Sequence, residues 1–269
     1  MAAPDSPQLI AFDFDGVICD GLIEYCQTAW RAYSQCFVPP GGEPTAEALP
    51  PEPPPGLAEA FYRLRPIVET GWEMPVVIQA LIQGLSQAEI TQGWPGLAKT
   101  LVAEAGLEPM AVAKTVDRVR DSWIQQDLTG WLALHRFYPG VLDCLNATAA
   151  QAIPTYIIST KEGRFIHQLL AQQGIDFPTD RIFGKEVKRP KSDTLSQLIQ
   201  QHQPQGAVWF LEDRLKTLQA VAQVPELEAV HLFLADWGYN TPADHQTADE
   251  CDRIQRLSLD QLPQRLPTL

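Results

Sequence analysis

Hydrophobic residues follow two different periodicities in this chain, and the change between them divides it into parts. Short, mostly apolar runs occur at residues 9–12, 155–158, 207–211 and 230–234. Runs of this length, bounded by turn residues, predict strands that are buried on both faces, as in a parallel sheet. Between the runs in the second half of the chain, apolar residues recur every three or four positions, which predicts helices.

The second half of the chain therefore alternates between strand and helix. A further short strand is predicted at residues 181–183, and the expected helices cover residues 141–149, 165–173, 193–201 and 215–222. The segment Ser258-Leu259-Asp260-Gln261 has the pattern of a capping box before a short terminal helix. Together with the first apolar run, this alternation predicts an α/β fold with a parallel sheet and right-handed crossovers.

The stretch between the first and the second predicted strand has helical spacing throughout. Its apolar residues at positions 23, 26, 30, 33 and 37 predict one helix, and others are expected at residues 57–64, 76–85, 97–105 and 108–127. Residues 39–55 hold eight of the chain's 23 prolines, too many for a helix or a central strand. We therefore interpret residues 17–137 as a helical insertion with a proline-rich loop at 39–55, within an α/β core formed by residues 1–16 and 138–269.

Composition and charge limit the classes of partner. The 269 residues carry a formal charge of −13, and the pI is near 4.7. Such a chain would repel the phosphate backbone of nucleic acid and an anionic membrane surface, so neither is an expected partner. No apolar run approaches the length of about 20 residues that spans a bilayer.

The number and spacing of the cysteines, together with residues 1–7, indicate the cellular compartment in which the protein is expected. Residues 1–7 contain neither a basic segment nor an apolar core, so a secretion signal is not expected. The five cysteines are odd in number and lack CxxC spacing, which weighs against a zinc site and against a disulfide framework. A reducing, cytoplasmic location is the resulting expectation.

Two carboxylates stand at the end of the first predicted strand. Asp13 and Asp15 are two positions apart, and alternate residues of an extended chain point to the same side. Two parallel carboxylates repel by about 4 kcal/mol at an effective dielectric near 20, so the pair requires a cation or a shared proton. Open parallel sheets bind ligands beyond the carboxyl ends of their strands, which makes this edge the expected site.

Other strand ends and helix starts supply complementary groups at the same edge. These are Ser159-Thr160-Lys161 after one strand, Glu212-Asp213 after a later strand, and Lys191 at the start of a helix. Each has an ordinary alternative when taken singly: the hydroxyls could cap a helix, the lysine could be solvated, and the acids could open a helix. The prediction of a site therefore depends on the combination: successive strand ends and a helix start supply acids, hydroxyls and a lysine to the same edge of the sheet.

These residue types suit phosphoryl transfer, in which a protein mainly positions groups and balances charge. Asp13 would be the nucleophile, forming an aspartyl phosphate. Asp15 would protonate the leaving oxygen and later deprotonate the attacking water. Four carboxylates carry a charge of about −4, and Mg²⁺ together with Lys191 leaves about −1, so we expect Mg²⁺ to be required for a phosphate substrate.

Two segments resemble motifs of the haloacid dehalogenase superfamily. Phe12-Asp13-Phe14-Asp15-Gly16-Val17 looks like its first motif, DxDGxx, and Ile157-Ile158-Ser159-Thr160-Lys161 resembles its second, an apolar run that ends in Ser or Thr. The resemblance implies a Rossmann-like core with a helical cap domain inserted after the first strand. It also implies that Asp13 is the nucleophile, Asp15 the acid and base, and Ser159 the ligand of a phosphoryl oxygen.

The resemblance extends to the third and fourth motifs, with one departure. Pro190-Lys191-Ser192-Asp193 resembles the third motif, whose lysine stabilises the aspartyl phosphate; Lys188 is the alternative, and Lys191 is preferred because it directly precedes a helix. Trp209-Phe210-Leu211-Glu212-Asp213 resembles the acidic fourth motif. Many relatives have a second Asp four or five residues later, where this chain has Thr217 and Leu218.

The departure in the fourth motif affects the implied metal ligands. The extra acid Glu212 makes the segment look like the variant with two adjacent carboxylates, of which Asp213 is the preferred ligand. The family also binds Mg²⁺ through the backbone carbonyl of the second acid of motif one, here Asp15. Asp13 is a further expected ligand, because hard carboxylate oxygens bind Mg²⁺. The implied metal set is thus Asp13, Asp15, Asp213 and Glu212.

The leading hypothesis is a Mg²⁺-dependent phosphatase of a small phosphorylated metabolite. The dehalogenase branch is disfavoured, because its members work without a metal and lack the second acid that Asp15 provides. A phosphomutase and a non-catalytic binding or assembly protein on the same scaffold are the alternatives. Thr160, Arg65 and Glu69 are the candidate substrate-binding residues, the last two lying in a segment that combines cations, an aromatic residue and a glycine.

Overall fold

The chain forms two compact units. The computed structural model describes residues 7–37, 52–94 and 96–265. The core unit comprises Met1–Asp20 and Arg136–Leu269, and the insertion unit comprises Gly21–His135. Residues 39–51 of the predicted proline-rich loop lie outside the described residues. Among the described residues, no helix is both long enough and apolar enough to cross a lipid bilayer.

The core unit is built on a six-stranded parallel sheet. The strands in chain order are β1 (Leu9–Phe12), β2 (Cys19–Asp20), β3 (Arg136–Phe137), β4 (Thr155–Ile158), β5 (Ile182–Phe183), β6 (Val208–Glu212), β7 (Val230–Ala235) and β8 (Ile254–Leu257). The sheet has the order β5-β4-β1-β6-β7-β8, whereas β2 and β3 form a separate antiparallel pair. β1, β4 and β6 are buried along their whole length, which is why these segments are mostly apolar. The predicted α/β class with a Rossmann-like parallel core is confirmed.

The insertion unit consists of helices around an apolar core of its own. Its helices are α1 (Leu22–Cys36), α2 (Pro55–Leu64), α3 (Glu73–Ile82), α4 (Gln87–Gly93), α5 (Gly96–Glu104), α6 (Pro109–Gln126) and α7 (Leu128–Leu132). Trp30, Tyr33 and Phe61 are among the large side chains of this core. The predictions from helical spacing omitted α4, although Ser86 and Glu89 form a capping box at its start. Its seven residues bury only Ile90, too little for a periodic signal.

A buried carboxylate links three helices of the insertion unit. The Glu24 carboxylate on α1 is fully buried, and Oε1 accepts hydrogen bonds from Thr28 Oγ1 at 2.6 Å, Arg120 Nε at 2.8 Å and Trp131 Nε1 at 3.1 Å. A buried charge is tolerated when it is paired and hydrogen-bonded in this way. The network therefore fixes α1, α6 and α7 against one another.

The helices of the core unit flank its sheet strands in sequence. They are α8 (Val141–Ala150), α9 (Gly163–Gln172), α10 (Lys191–His202), α11 (Leu215–Ala222), α12 (Pro242–Asp249) and α13 (Leu262–Arg265). Neither α12 nor β8 was expected from the sequence. Only the two ends of β8 are buried, and Gln255 and Arg256 between them are exposed, so this strand lacks the apolar run by which β1, β4 and β6 are identified.

The chain leaves and re-enters the core unit through the β2–β3 pair. Cys19 lies opposite Phe137, and Asp20 lies opposite Arg136. The insertion unit accordingly runs from residue 21 to residue 135, a few residues inside the boundaries of 17 and 137 set from the sequence. A strand of two residues contains no period, so the sequence pattern could not separate this pair from the helical stretch.

Candidate active site

Three neighbouring strands end at the same edge of the sheet. β1 lies between β4 and β6, and Phe12 at its end is in register with Ile157 and Leu211. Asp13 follows directly, and its backbone N–H donates a hydrogen bond to Leu211 O at 2.8 Å. The chain order reverses on either side of β1, which is the position where open parallel sheets bind ligands.

Lys191 contacts two carboxylates that come from different strands. Its Nζ lies 2.9 Å from Asp13 Oδ1 and 2.7 Å from Glu212 Oε2. Lys191 is the first residue of α10, and its side chain is 13% exposed. Lys188, the alternative, follows a short turn with a left-handed backbone (φ 52°), and no ion pair joins it to these acids in the described part of the chain.

Burial and mutual repulsion work against charge on the acids of this cluster. Burial, reinforced by Glu212, raises the pKa of Asp13 to about 7 although Lys191 opposes it. Burial also raises the pKa of Glu212 to about 7 and shifts that of Asp213 upward. The pKa of Lys191 is lowered by burial, but Asp13 and Glu212 outweigh this and raise it above its usual range. Lys191 therefore only partly offsets the burial and mutual repulsion of these carboxylates.

The acids fit a metal ion, and one of them has an oxygen available for it. One ligand atom from each of Asp13, Glu212 and Asp213 lies within 4.8 Å of the others. Asp213 Oδ2 accepts a hydrogen bond from the Tyr239 backbone N–H at 2.7 Å, but Asp213 Oδ1 is buried and has no donor among the described residues. Hard carboxylate oxygens of this kind suit a divalent cation such as Mg²⁺.

Glu212 differs from Asp213 in how its oxygens are engaged. Its Oε2 accepts a hydrogen bond from Lys191 Nζ at 2.7 Å, and Oε1 accepts one from the Arg214 backbone N–H at 3.0 Å. Both oxygens therefore already have donors. The geometry fits Glu212 to the orientation of Lys191 and fits Asp213 better as a metal ligand.

Asp15 has a cation of its own. Lys161 Nζ lies 3.0 Å from Asp15 Oδ1 and 3.4 Å from Oδ2. β1 ends at Phe12, so the alternation of an extended strand, which predicted that Asp13 and Asp15 point the same way, does not extend to Asp15. The turn after the strand sets its position instead, and Gly16 in that turn has a φ of 88°, a conformation that glycine adopts without strain.

The second motif presents one buried and one exposed hydroxyl. Ser159 is buried and Thr160 is exposed. Ser159 Oγ accepts a hydrogen bond from the Lys161 backbone N–H at 3.3 Å, and a hydroxyl that accepts still has a hydrogen to donate. Neither residue is the N-cap of α9, since that position is Glu162. The ordinary alternative for these hydroxyls is thereby removed.

Arg65 and Glu69, the other predicted substrate-binding residues, belong to the insertion unit. The Arg65 guanidinium lies 4.8 Å from the centre of the Tyr25 ring, and Nη1 donates to Val68 O at 3.2 Å. The Glu69 backbone N–H donates to Glu73 Oε2 at 2.8 Å. These contacts order the segment, and the role of both residues in substrate binding stays a prediction.

A loop after β7 completes the surroundings of Asp213 and was not expected from the sequence. Besides the Tyr239 N–H on Asp213, Trp237 Nε1 donates to Val17 O at 3.1 Å. A Cβ on Gly238 would lie 2.3 Å from Asp213 Cβ and 2.4 Å from Gly16 O, and one on Gly16 would lie 2.1 Å from Asp213 Oδ2. The available signal was the glycine between two aromatic residues just after a predicted strand.

The close approach at Gly238 gives a stability prediction. Gly238→Ala should lower the free energy of unfolding by about 1–3 kcal/mol, because the new methyl group must displace Asp213 or the backbone of Gly16. Gly56→Ala is the matched control, since a Cβ there meets nothing within 4 Å and alanine favours a helix. Chemical denaturation measures both. Equal stability of the two variants would mean that the loop tolerates a side chain.

Comparison with known proteins identifies the family. A model described as haloacid dehalogenase-like hydrolase matches residues 7–224. Similar solved structures include a provisionally assigned phosphatase from Clostridium difficile, with 12% identity, a TM-score of 0.61, and 98% of this chain and 100% of that chain covered. A provisionally assigned phosphoglycolate phosphatase from Lactobacillus delbrueckii subsp. bulgaricus has 16% identity and a TM-score of 0.56, with 98% of this chain and 100% of that chain covered. A predicted phosphoglycolate phosphatase from Haemophilus somnus has 17% identity and a TM-score of 0.57, with 93% of each chain covered.

A search of curated proteins gave no match. The structural neighbours are too distant in sequence to show more than the fold. The family match, in contrast, spans most of the chain, including Asp13, Ser159, Lys191 and Asp213. The resemblance drawn from the motifs is confirmed, and the chain belongs to the haloacid dehalogenase-like hydrolases.

Proposed function

We propose that this hydrolase is a Mg²⁺-dependent phosphatase of a small phosphorylated metabolite. The observation that supports this most strongly is the buried cluster of Asp13, Lys191 and Asp213 at the carboxyl edge of the sheet, in which Asp213 Oδ1 has no donor among the described residues. A cluster with a nucleophile, a lysine and a carboxylate oxygen available for a cation suits a phosphoryl group, whose charge must be balanced on several sides.

Asp13 and Asp15 divide the reaction between them. A carboxylate oxygen of Asp13 attacks phosphorus, the bond from phosphorus to the ester oxygen breaks, and Asp15 donates a proton to that oxygen, so the alcohol leaves. Water then attacks the phosphorus of the aspartyl phosphate while the Asp15 carboxylate accepts a proton from it. Inorganic phosphate leaves, Asp13 is restored as a carboxylate and Asp15 is protonated again.

Lys191 and Ser159 orient the group that is transferred. Lys191, held at 2.7 Å by Glu212, places a positive charge beside the Asp13 oxygen where negative charge of the phosphoryl group accumulates. The buried Ser159 hydroxyl is available as a donor to a phosphoryl oxygen. A preorganised donor of this kind contributes most where water is scarce.

Asp13, Asp213 and the backbone carbonyl of Asp15 are the residues that would hold the metal ion. When bound, Mg²⁺ would supply charge neutralisation and a fixed orientation for the phosphate. The four carboxylates of the site carry about −4, against which Lys191 and Lys161 together supply about +2. This imbalance supports the requirement for a divalent cation.

The presence of Asp15 favours a phosphatase over a dehalogenase, because the latter needs no acid for the leaving group. A reducing cytoplasm is the proposed setting, supported by five free cysteine thiols. The net charge of −13 disfavours nucleic acid and anionic membranes as partners.

The direct test is phosphate release from a panel of phosphorylated metabolites and p-nitrophenyl phosphate, with Mg²⁺ and with EDTA. Release that depends on Mg²⁺ supports the proposal. A phosphoryl group that moves between positions of a sugar without release of phosphate would indicate a mutase. No turnover by folded, metal-loaded protein on any substrate would favour the binding or assembly protein.

The metal ligands can be ranked by titration. Asp213→Asn should weaken Mg²⁺ binding by about tenfold or more, because it removes a charge at the oxygen that has no other donor. Glu212→Gln should weaken it less, since both Glu212 oxygens are already engaged. Asp193→Asn, an exposed acid on α10, is the control, and calorimetry is the measurement. The reverse order would make Glu212 the ligand.

A further inference from the structure

A second lysine enters the site beside Asp15. Lys161 follows the second motif but corresponds to none of the family's motif residues named above. Its ammonium contacts both oxygens of Asp15, and the two side chains are only 8% and 13% exposed. Lysine is rarely this buried unless it is paired. An exposed ion pair contributes little, but this pair is largely shielded from water.

The backbone of Lys161 is fixed on both sides. Its N–H donates to Ser159 Oγ at 3.3 Å, and its carbonyl accepts from the Lys185 backbone N–H at 2.9 Å. The chain at Gly184 packs so tightly here that a Cβ would lie 2.7 Å from Lys161 O and 2.3 Å from Gly163 N. The backbone from which the Lys161 side chain reaches Asp15 is therefore held in place.

The charge of the site is consistent with a role for this lysine. Asp13, Asp15, Glu212 and Asp213 with Lys191 amount to about −3, which a divalent cation does not cancel. Lys161 brings the sum to about −2, which one divalent cation balances before the substrate arrives. Each catalytic aspartate then has its own lysine, Lys191 for Asp13 and Lys161 for Asp15.

We propose that Lys161 is the positioning residue of Asp15. By contacting both carboxylate oxygens it limits rotation of the Asp15 side chain, so that the carboxyl group stays aimed at the oxygen that exchanges its proton. Lys161 acts on the reaction through the Asp15 carboxyl group that it contacts. The inference rests on the proposed function, because it concerns the proton transfers assigned there to Asp15.

The test compares Lys161→Met, which keeps length and removes charge, with Lys161→Arg, which keeps the charge. Lys161→Met should lower kcat for an alkyl phosphate by about 10- to 100-fold, with KM changed by less than about threefold. The loss with p-nitrophenyl phosphate should be smaller, because phenolate needs less help to leave. Lys161→Arg should recover part of the activity. Lys114→Met, an exposed lysine on α6, is the control.

A double-mutant cycle with Asp15→Asn decides whether Lys161 acts through Asp15. In that background Lys161→Met should change kcat by less than about threefold, since there is no carboxylate left to position. Additive losses would overturn the inference, and so would a raised KM with unchanged kcat, which would make Lys161 a substrate ligand. If the parent has no Mg²⁺-dependent turnover, the proposed function fails and the inference with it. If the parent is active and Asp15→Asn impairs it, only the cycle decides the role of Lys161.

Discussion

The Asp13→Asn variant should lose phosphatase turnover by at least about 10⁴-fold while keeping its fold. The substitution is nearly isosteric, but an amide cannot act as the nucleophile, and removal of a nucleophile leaves only what binding and the surrounding donors supply. Burial and Glu212 both disfavour charge on Asp13, as its pKa of about 7 reflects. A neutral side chain at this position should therefore not lower the stability of the metal-free protein.

Turnover of p-nitrophenyl phosphate measures the expected loss of activity, and the midpoint of chemical unfolding measures whether the fold is kept. Asp193→Asn is again the matched control, since it changes the same chemical group at an exposed position. Activity of Asp13→Asn within tenfold of the parent would rule out Asp13 as the nucleophile. An unfolded variant would be uninformative about chemistry, and Asp13→Glu, which keeps the carboxylate but displaces it, then takes its place with the same expected loss.

The second large effect is expected at Asp15, and it depends on the substrate. For alkyl phosphates Asp15→Asn should slow formation of the aspartyl phosphate by about 10²–10⁴-fold, because the leaving alkoxide needs a proton. For p-nitrophenyl phosphate the first step should suffer less, because phenolate leaves without help. Hydrolysis of the aspartyl phosphate would still lack its base, so the phosphorylated protein should accumulate.

Intact-mass measurement after mixing with p-nitrophenyl phosphate detects that species directly. Asp13→Asn combined with Asp15→Asn is the control, since it has no residue to carry the phosphoryl group. Equal losses with alkyl and aryl substrates and no phosphoryl adduct would show that Asp15 is not an acid and base. A purely structural role would then be the better account of Asp15.

The part of the site that the sequence could predict is the part placed by strands. Asp13 follows the apolar strand β1, and Asp213 follows Glu212, the last residue of β6. The carboxyl ends of parallel strands meet at one edge of the sheet, whatever the loops do. Lys191 was identifiable for the related reason that it starts a helix. Such arguments need only local pattern and topology.

The rest of the site depends on contacts between distant loops. Lys161 and Asp15 are 146 positions apart, and Tyr239 reaches Asp213 across 26. No local sequence pattern predicts that these loops come into contact. The different roles of Glu212, which orients Lys191, and Asp213, which fits a metal ion, likewise depend on which carboxylate oxygens accept hydrogen bonds. Only the folded structure shows this.

The β2–β3 pair has a consequence for the conformational entropy of the core. Facing Cα atoms of an antiparallel pair are about 4.5–5.5 Å apart. The two points at which the insertion is joined to the core are therefore as close together as the two ends of a hairpin loop. An unstructured loop of about 115 residues would cost about 3 kcal/mol more to close than a four-residue turn. The insertion unit folds around its own apolar core, so it has already lost the conformational entropy that an unstructured loop would lose on closure. Gly21 and His135 are therefore two adjacent points at which a folded insertion of this length joins the core without the closure cost of an unstructured loop.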